Sequence, residues 1–273
     1  MTRKILITGG GGNIGRKLHR HFTARGDEVL RLDRDNRGDP STEVADLTVW
    51  DDRWVVMFAG VDCVFHLAGD PRPTASWASI QALNIDLTLN VYEAAARQGA
   101  KRLVFASSNW VMAGRRFDEG PLTTDLEPYP VNPYGVSKLI GERLGRSYSE
   151  RWGLSVICFR IGYNQHHHDN QPGPHMNMNS WGQLMWLSDR DLCGAFQAAV
   201  DAAPDLRFAV VNVMSANPGM RWDLEPLAEV LHFRPQDGAE PVLSDEVRTR
   251  EESARKAHRL IEAAEAFLAD QHW

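Results

Sequence analysis

Cysteine is scarce: Cys63, Cys158 and Cys193 are the only three in 273 residues, and no two form a CxxC pair. An odd, scattered set excludes a disulfide framework and a zinc knuckle and fits a reducing compartment. Nor do about 18 apolar residues run together anywhere, so no transmembrane helix is expected. The N-terminal "MTRKILITGG" enters a strand directly and lacks the apolar core of a secretory signal. Both absences predict a cytoplasmic protein that does not engage a membrane. Positive charge is also in deficit. A formal net charge of −6 argues against nucleic acid, whose binding needs a basic face. One stretch is poorer still, with no Lys or Arg between Arg160 and Arg190.

What is present is alternation. Short apolar runs at 4–8, 28–33, 63–68, 102–108, 155–161 and 208–214 read as strands, mostly buried on both faces. Helical patterns at 14–25, 78–98, 134–152 and 189–202 separate them, the last opening on a capping box from Ser188 to Asp191. Strand and helix in repeated alternation predict an α/β fold, a Rossmann-type doubly wound parallel sheet with a small C-terminal substrate lobe. No internal repeat or low-complexity linker divides it. The expected organisation is one domain over 1–243, with a cofactor-binding core at 1–162 plus 186–215 and substrate-side segments at 163–185 and 216–243. Residues 244–273 read as a charged helical tail that packs on its own domain or on another subunit.

"TGGGGNIG" (8–15) lies between the first strand and the first helix, with Gly9, Gly12 and Gly15 as G-x-x-G-x-x-G. Such a turn brings backbone close to a pyrophosphate and aims helix N-terminal amides at its charge. Asp33 ends the second strand, where a carboxylate accepts hydrogen bonds from a ribose and repels a 2′-phosphate. NAD is therefore expected rather than NADP; Arg34 weakens that preference without reversing it. Asp46 either reaches the adenine or serves as a turn acid. In "YGVSK" (134–138), Tyr134 and Lys138 stand four apart on one helix face, where an ammonium should lower the phenol pKa and make it a usable base. Alone, Tyr-x-x-x-Lys reads as an ordinary exposed pair. Coupled to the glycine turn and to the strand-end serines of "ASSN" (106–109), it reads as catalytic.

Together with "HLAG" (66–69) and "RIG" (160–162), these motifs resemble the extended short-chain dehydrogenase/reductase family of NAD-dependent epimerases and dehydratases. Within it, "FASSN" (105–109), "YGVSKLIGE" (134–142), "WLSDRDL" (186–192), "SAN" with Trp222-Asp223 (215–223) and "FRPQDGAE" (233–240) are most similar to uronate dehydrogenases. The resemblance spans about residues 3–240 and leaves the tail outside. It implies Tyr134 as general base, Lys138 as the residue that tunes it and holds the nicotinamide ribose, and Ser108 as the orienting hydroxyl. Ser108 is preferred to Ser107 because it stands three residues before Val111. The implied cofactor contacts are Gly9, Gly12, Asn13, Ile14, Gly15, Asp33, Asp46, Leu47, Leu67, Ala68, Gly69, Asn84, Ser107, Tyr134, Lys138 and Ile161. The substrate side takes Arg72, Ser108, Asn109, Tyr163 and His175, and no metal is implied.

The implied activity is NAD-dependent oxidation of a hydroxyl on a small free sugar or sugar acid, at the anomeric carbon to a lactone. The family also contains sugar epimerases, and an NAD-binding regulator without turnover is a third reading. A dehydratase is disfavoured, because Asn109 and Trp110 replace the Asp-Glu pair of that branch. The partner is a small sugar or sugar acid, and the resemblance suggests a homo-oligomer. Uronate enzymes hold the sugar carboxylate with an arginine after "RIG"; here Arg72 or His175 would have to serve. The stretch "YNQHHHDNQPGPHMNMNSW" (163–181) follows the strand whose end touches the nicotinamide, so it is expected to overhang the substrate, with His175, Asn177 and Asn179 reaching inward, or else to be a solvated connection. Its adjacent histidines suit a metal poorly, since neighbouring side chains in a loop diverge.

Overall fold

The structure, a computed structural model, describes residues 2–167, 170–173 and 178–269, and side chains as far as Ile261. Its strands are β1 (Lys4–Thr8), β2 (Glu28–Asp33), β3 (Glu43–Val44), β4 (Cys63–His66), β5 (Arg102–Ser108), β6 (Ser155–Ile161), β7 (Tyr163–Asn164), β8 (Trp186–Leu187) and β9 (Phe208–Val213). Seven form one parallel sheet in the order β3-β2-β1-β4-β5-β6-β9, and β7 pairs with β8 apart from it. This is the predicted doubly wound α/β architecture. The order reverses between β1 and β4, and at such a switch point the strand ends open a ligand crevice.

The helices are α1 (Asn13–Ala24), α2 (Asp52–Val55), α3 (Trp77–Ile80), α4 (Leu87–Arg97), α5 (Pro133–Trp152), α6 (Ser180–Leu184), α7 (Asp189–Asp201), α8 (Glu225–Leu231) and α9 (Asp245–Ala269). Period-two alternation assigns them to faces. Ile5 and Ile7 point to one side, with Leu18 and Phe22 of α1 and Leu192 and Phe196 of α7. Leu6 points to the other, with Trp54 of α2, Leu87 and Val91 of α4 and Leu144 of α5. On the first side Phe22, Phe65, Phe196 and Phe159 form a chain of ring contacts at 5.1, 4.9 and 5.0 Å. Each such fully buried side chain stabilises the fold by roughly 1.5–3 kcal/mol. Arg102 donates to the carbonyls of Ala199, Ala202 and Ala203, placing a cation on the carbonyl end of α7.

Two expectations are corrected. The helix predicted over 78–98 is interrupted by a π-helical stretch, Gln81–Asp86, between α3 and α4. The strand predicted over 63–68 stops at His66, because the chain swings out toward Gly69, whose φ is +155°. The short elements β3, β7, β8, α2, α6 and α8 do not run long enough to repeat a pattern that could be detected. The capping box forms: the Ser188 hydroxyl accepts from the Asp191 amide at 3.0 Å. The tail helix α9 leans on its own domain along one edge, with Val247, Glu251 and His258 half-buried and Leu260 and Ile261 exposed. The three cysteines are free and buried. No described helix is long and apolar enough to cross a membrane.

Candidate active site

The crevice starts at the turn after β1. Gly9 has φ +72°, and a Cβ there would lie 2.7 Å from the Ala68 amide nitrogen; at Gly15 it would lie 2.4 Å from the Gly9 carbonyl. Only glycine lets this turn close against the end of β4. A Cβ at Gly12 would meet nothing nearer than the Gly9 oxygen at 3.1 Å, so the backbone is bare there. α1 has no side-chain cap and no acid in its first turn, leaving its N-terminal amides to an anion. Asp33 accepts from the Gly11 amide at 2.9 Å, which fixes its carboxylate beside the turn. A bare cradle, open amides and a fixed strand-end acid fit an NAD pyrophosphate and ribose.

Other expected cofactor contacts divide. Leu67 and Ala68 follow β4 and are bound to Thr8 through their amides, at 3.1 Å to its carbonyl and 3.4 Å to its hydroxyl. Ile14 packs against the core, Leu47 is buried within it, and Ile161 ends β6. Asn13 donates to the carbonyls of Asn164 and Gln165, tying α1 to the chain beyond β6. One oxygen of Asp46 accepts from the Thr48 amide and hydroxyl, the geometry of a turn acid. Asn84, in the π-helical stretch, accepts from the Asp70 amide at 2.7 Å and donates to its carbonyl at 3.0 Å. Its amide group therefore shapes the Gly69–Asp70 backbone rather than reaching a ligand. The Ser107 hydroxyl is likewise committed, to Glu142 at 2.6 Å.

Ser108, Tyr134 and Lys138 come together. Asn132 caps α5 by accepting from Gly135 at 2.7 Å, and Pro133 sits in the first turn, so the helix begins at Tyr134's doorstep. Ser108 lies close enough to act on the Tyr134 phenol, and the Lys138 ammonium stands 5.6 Å from the Tyr134 ring centre. Burial pushes the Tyr134 phenol above its ordinary pKa; the Ser108 hydroxyl opposes that and the Asp70 charge adds to it. Burial also brings Lys138 down to about 8. The expected lowering of the phenol by Lys138 is thus corrected: desolvation prevails and the phenol sits above its ordinary value.

Two buried supports had not been anticipated. Glu142, four residues beyond Lys138 on the same helix face, accepts from Arg160 at 3.0 Å through each oxygen and from Ser107. This locks α5 to β5 and β6 in register. The i, i+4, i+8 spacing of Tyr134, Lys138 and Glu142 was the available signal. His66 bridges Thr8 at 2.8 Å and Thr88 at 3.0 Å, and burial lowers its pKa to about 3. It is a neutral strut at the end of β4.

On the substrate side, Asn109 donates to the Ile161 carbonyl at 3.0 Å, while its buried carbonyl oxygen has no partner. Arg72 is not a free cation. Its guanidinium grips Asp70 at 2.9 and 2.6 Å, and Asp70 also accepts from Ser79 at 2.7 Å. Tyr163 is half-buried in β7, and its amide donates to Met185. His175 and Asn177 lie outside the described residues. Asn179 caps α6, accepting from Gly182 at 3.0 Å. Before that point the loop runs toward α1 and α7: Lys17 donates to Asn164 at 2.9 Å, and Asn170 accepts from the Arg190 amide at 2.7 Å. Among the described residues, no three His, Cys, Asp or Glu side chains converge on a metal position.

The model of the NAD dependent epimerase/dehydratase family matches residues 5–176, more than half of the chain. The chain belongs to that family. Its cofactor is NAD. An NAD-dependent glucose-6-phosphate dehydrogenase of Haloferax volcanii is 36% identical over 261 residues, covering 88% of this chain and 95% of its own. An L-arabinose 1-dehydrogenase (NAD(P)(+)) of the same organism is 34% identical, with 88% and 99% covered. Among solved structures, a mutant uronate dehydrogenase from Agrobacterium tumefaciens complexed with NAD superposes with a TM-score of 0.72 at 31% identity, covering 88% of this chain and 86% of that one.

Proposed function

We propose that this family member is an NAD-dependent dehydrogenase that oxidises the anomeric hydroxyl of a small sugar or sugar acid to a lactone. The observation that carries the reading is the buried Ser108–Tyr134–Lys138 arrangement at the open end of β5, beside a cradle suited to NAD. Relatives named as dehydrogenases of glucose 6-phosphate, of L-arabinose at position 1 and of uronates support it.

Ser108 orients the sugar oxygen, and Tyr134 takes the proton from the sugar hydroxyl. Bound NAD supplies the two-electron chemistry, accepting hydride from the carbon that becomes the carbonyl. The Lys138 ammonium, 5.6 Å from the Tyr134 ring centre, offsets part of the burial cost of a tyrosinate. The buried Asn109 oxygen, which has no protein partner, would accept from a second sugar hydroxyl. With Arg72 tied to Asp70, the described part of the crevice holds little to favour a carboxylate, so aldoses are favoured over hexuronates.

A screen of NADH formation across aldoses, aldose phosphates and hexuronates tests the proposal. Turnover of an aldose supports it. No reduction with any of them, with NAD retained through purification, would favour a sugar epimerase instead.

A further inference from the structure

The described part of α9 touches the domain at few places, and one of them is specific. The Glu251 carboxylate accepts from the Ser180 amide at 2.6 Å and from the Ser180 hydroxyl at 2.8 and 2.9 Å, and lies 3.8 Å from the Arg116 guanidinium. These partners come from two different walls. Ser180 begins α6, in the chain that leaves β6, whereas Arg116 ends the 3₁₀ stretch Asn109–Arg115 that leaves β5 directly after Ser108. Segments beyond the ends of adjacent parallel strands flank the ligand crevice in this architecture. Their apolar sides already meet: the tilted rings of Trp181 and Trp222 lie 5.1 Å apart, and both pack with Val111 and Met112. A second tie lies alongside, where the Gln183 side chain exchanges two 2.9 Å hydrogen bonds with the Val242 backbone, just ahead of α9.

We infer that Glu251 is a positioning residue for the sugar: it clasps the α6 wall to the Arg116 wall and so makes the C-terminal helix part of the substrate site. The inference rests on reading this crevice as the sugar site. Three features support it over incidental packing. The carboxylate is half-buried, as are Val247 and His258, on a helix otherwise mostly exposed. It satisfies both donors of Ser180 at once, which anchors α6 at its first residue. A negative charge beside Arg116 also places a charge-assisted contact where the two walls would otherwise part. The NAD cradle at residues 9–15 belongs to α1 and shares no bond with this clasp.

The test uses the full-length chain carrying Glu251→Ala, Glu251→Gln or, as control, Glu252→Ala on the exposed side of α9. For Glu251→Ala the KM for the sugar should rise about tenfold, the scale of losing hydrogen bonds to a charged group, with the KM for NAD and the thermal midpoint little changed. Glu251→Gln retains an acceptor and should fall between. Glu252→Ala should match the wild type. Hydrogen exchange of the 180–184 amides should be faster in Glu251→Ala. An unchanged sugar KM, or a rise in both KM values with a lowered midpoint, would overturn the clasp. If the wild type oxidises no sugar, the dehydrogenase reading fails separately. Equal exchange of the 180–184 amides in wild type and Glu251→Ala would then overturn the clasp on its own.

Discussion

The Lys138 ammonium stands 5.6 Å from the Tyr134 ring centre, with both groups buried. Burial raises the phenol above its ordinary pKa and lowers the ammonium to about 8. A base must be deprotonated to act, so activity is lost as pH falls and kcat/KM should rise from neutral into alkaline pH. Lys138→Met should lower kcat/KM by about 10²–10⁴-fold and displace the rising limb upward. A pH profile of that variant superimposable on the wild type would remove Lys138 from the reaction.

Glu142 and Arg160 are a buried pair, of 4% and 2% exposure, that holds α5 to β5 and β6. Replacing one partner strands the other charge, so Arg160→Leu or Glu142→Leu should each destabilise by about 3–5 kcal/mol. The double replacement should cost clearly less than the sum. Denaturant midpoints for the four proteins measure this, and strict additivity would argue that the pair is not coupled.

Asp33 is fixed beside the glycine turn by the Gly11 amide, and its proposed role is to select NAD over NADP. Asp33→Ser should reduce kcat/KM with NAD by about 10–100-fold, the worth of hydrogen bonds to a charged group. The same change should raise activity with NADP by removing repulsion. A constant ratio of the two cofactors would contradict that role.

His66 makes stability pH-dependent. Its folded pKa of about 3 lies below the ordinary 6.5, so only the unfolded chain takes up a proton between those values. The contribution is intact above 6.5 and is lost as pH falls toward 3. At pH 4.5 the loss is about 2–3 kcal/mol, at roughly 1.4 kcal/mol per unit. His66→Asn should abolish that part of the acid sensitivity in thermal unfolding at pH 7 and 4.5; an unaltered difference would point to other groups.

The sheet was legible because a buried parallel strand is a continuous apolar run with helices between, and β1, β2, β5 and β6 end at the predicted residues. The glycine turn, Tyr134 and Lys138 were legible because each is a fixed spacing on a known element. Glu142, His66 and the Asp70–Arg72 pair were not, since a charged residue in sequence carries no sign of who faces it across the fold. The same holds for Glu251, whose partner Ser180 lies 71 residues earlier. The described ends of the histidine-rich stretch are bound to α1 and α7 at its start and cap α6 at its end, contacts that a run of polar residues does not signal.

The most direct measurement follows deuterium from a sugar labelled at the anomeric carbon. The account predicts that the label leaves the sugar, appears in released reduced NAD, and leaves a lactone behind, with Tyr134→Phe abolishing the transfer. Label retained in a sugar of altered configuration, with no reduced NAD released, would contradict it.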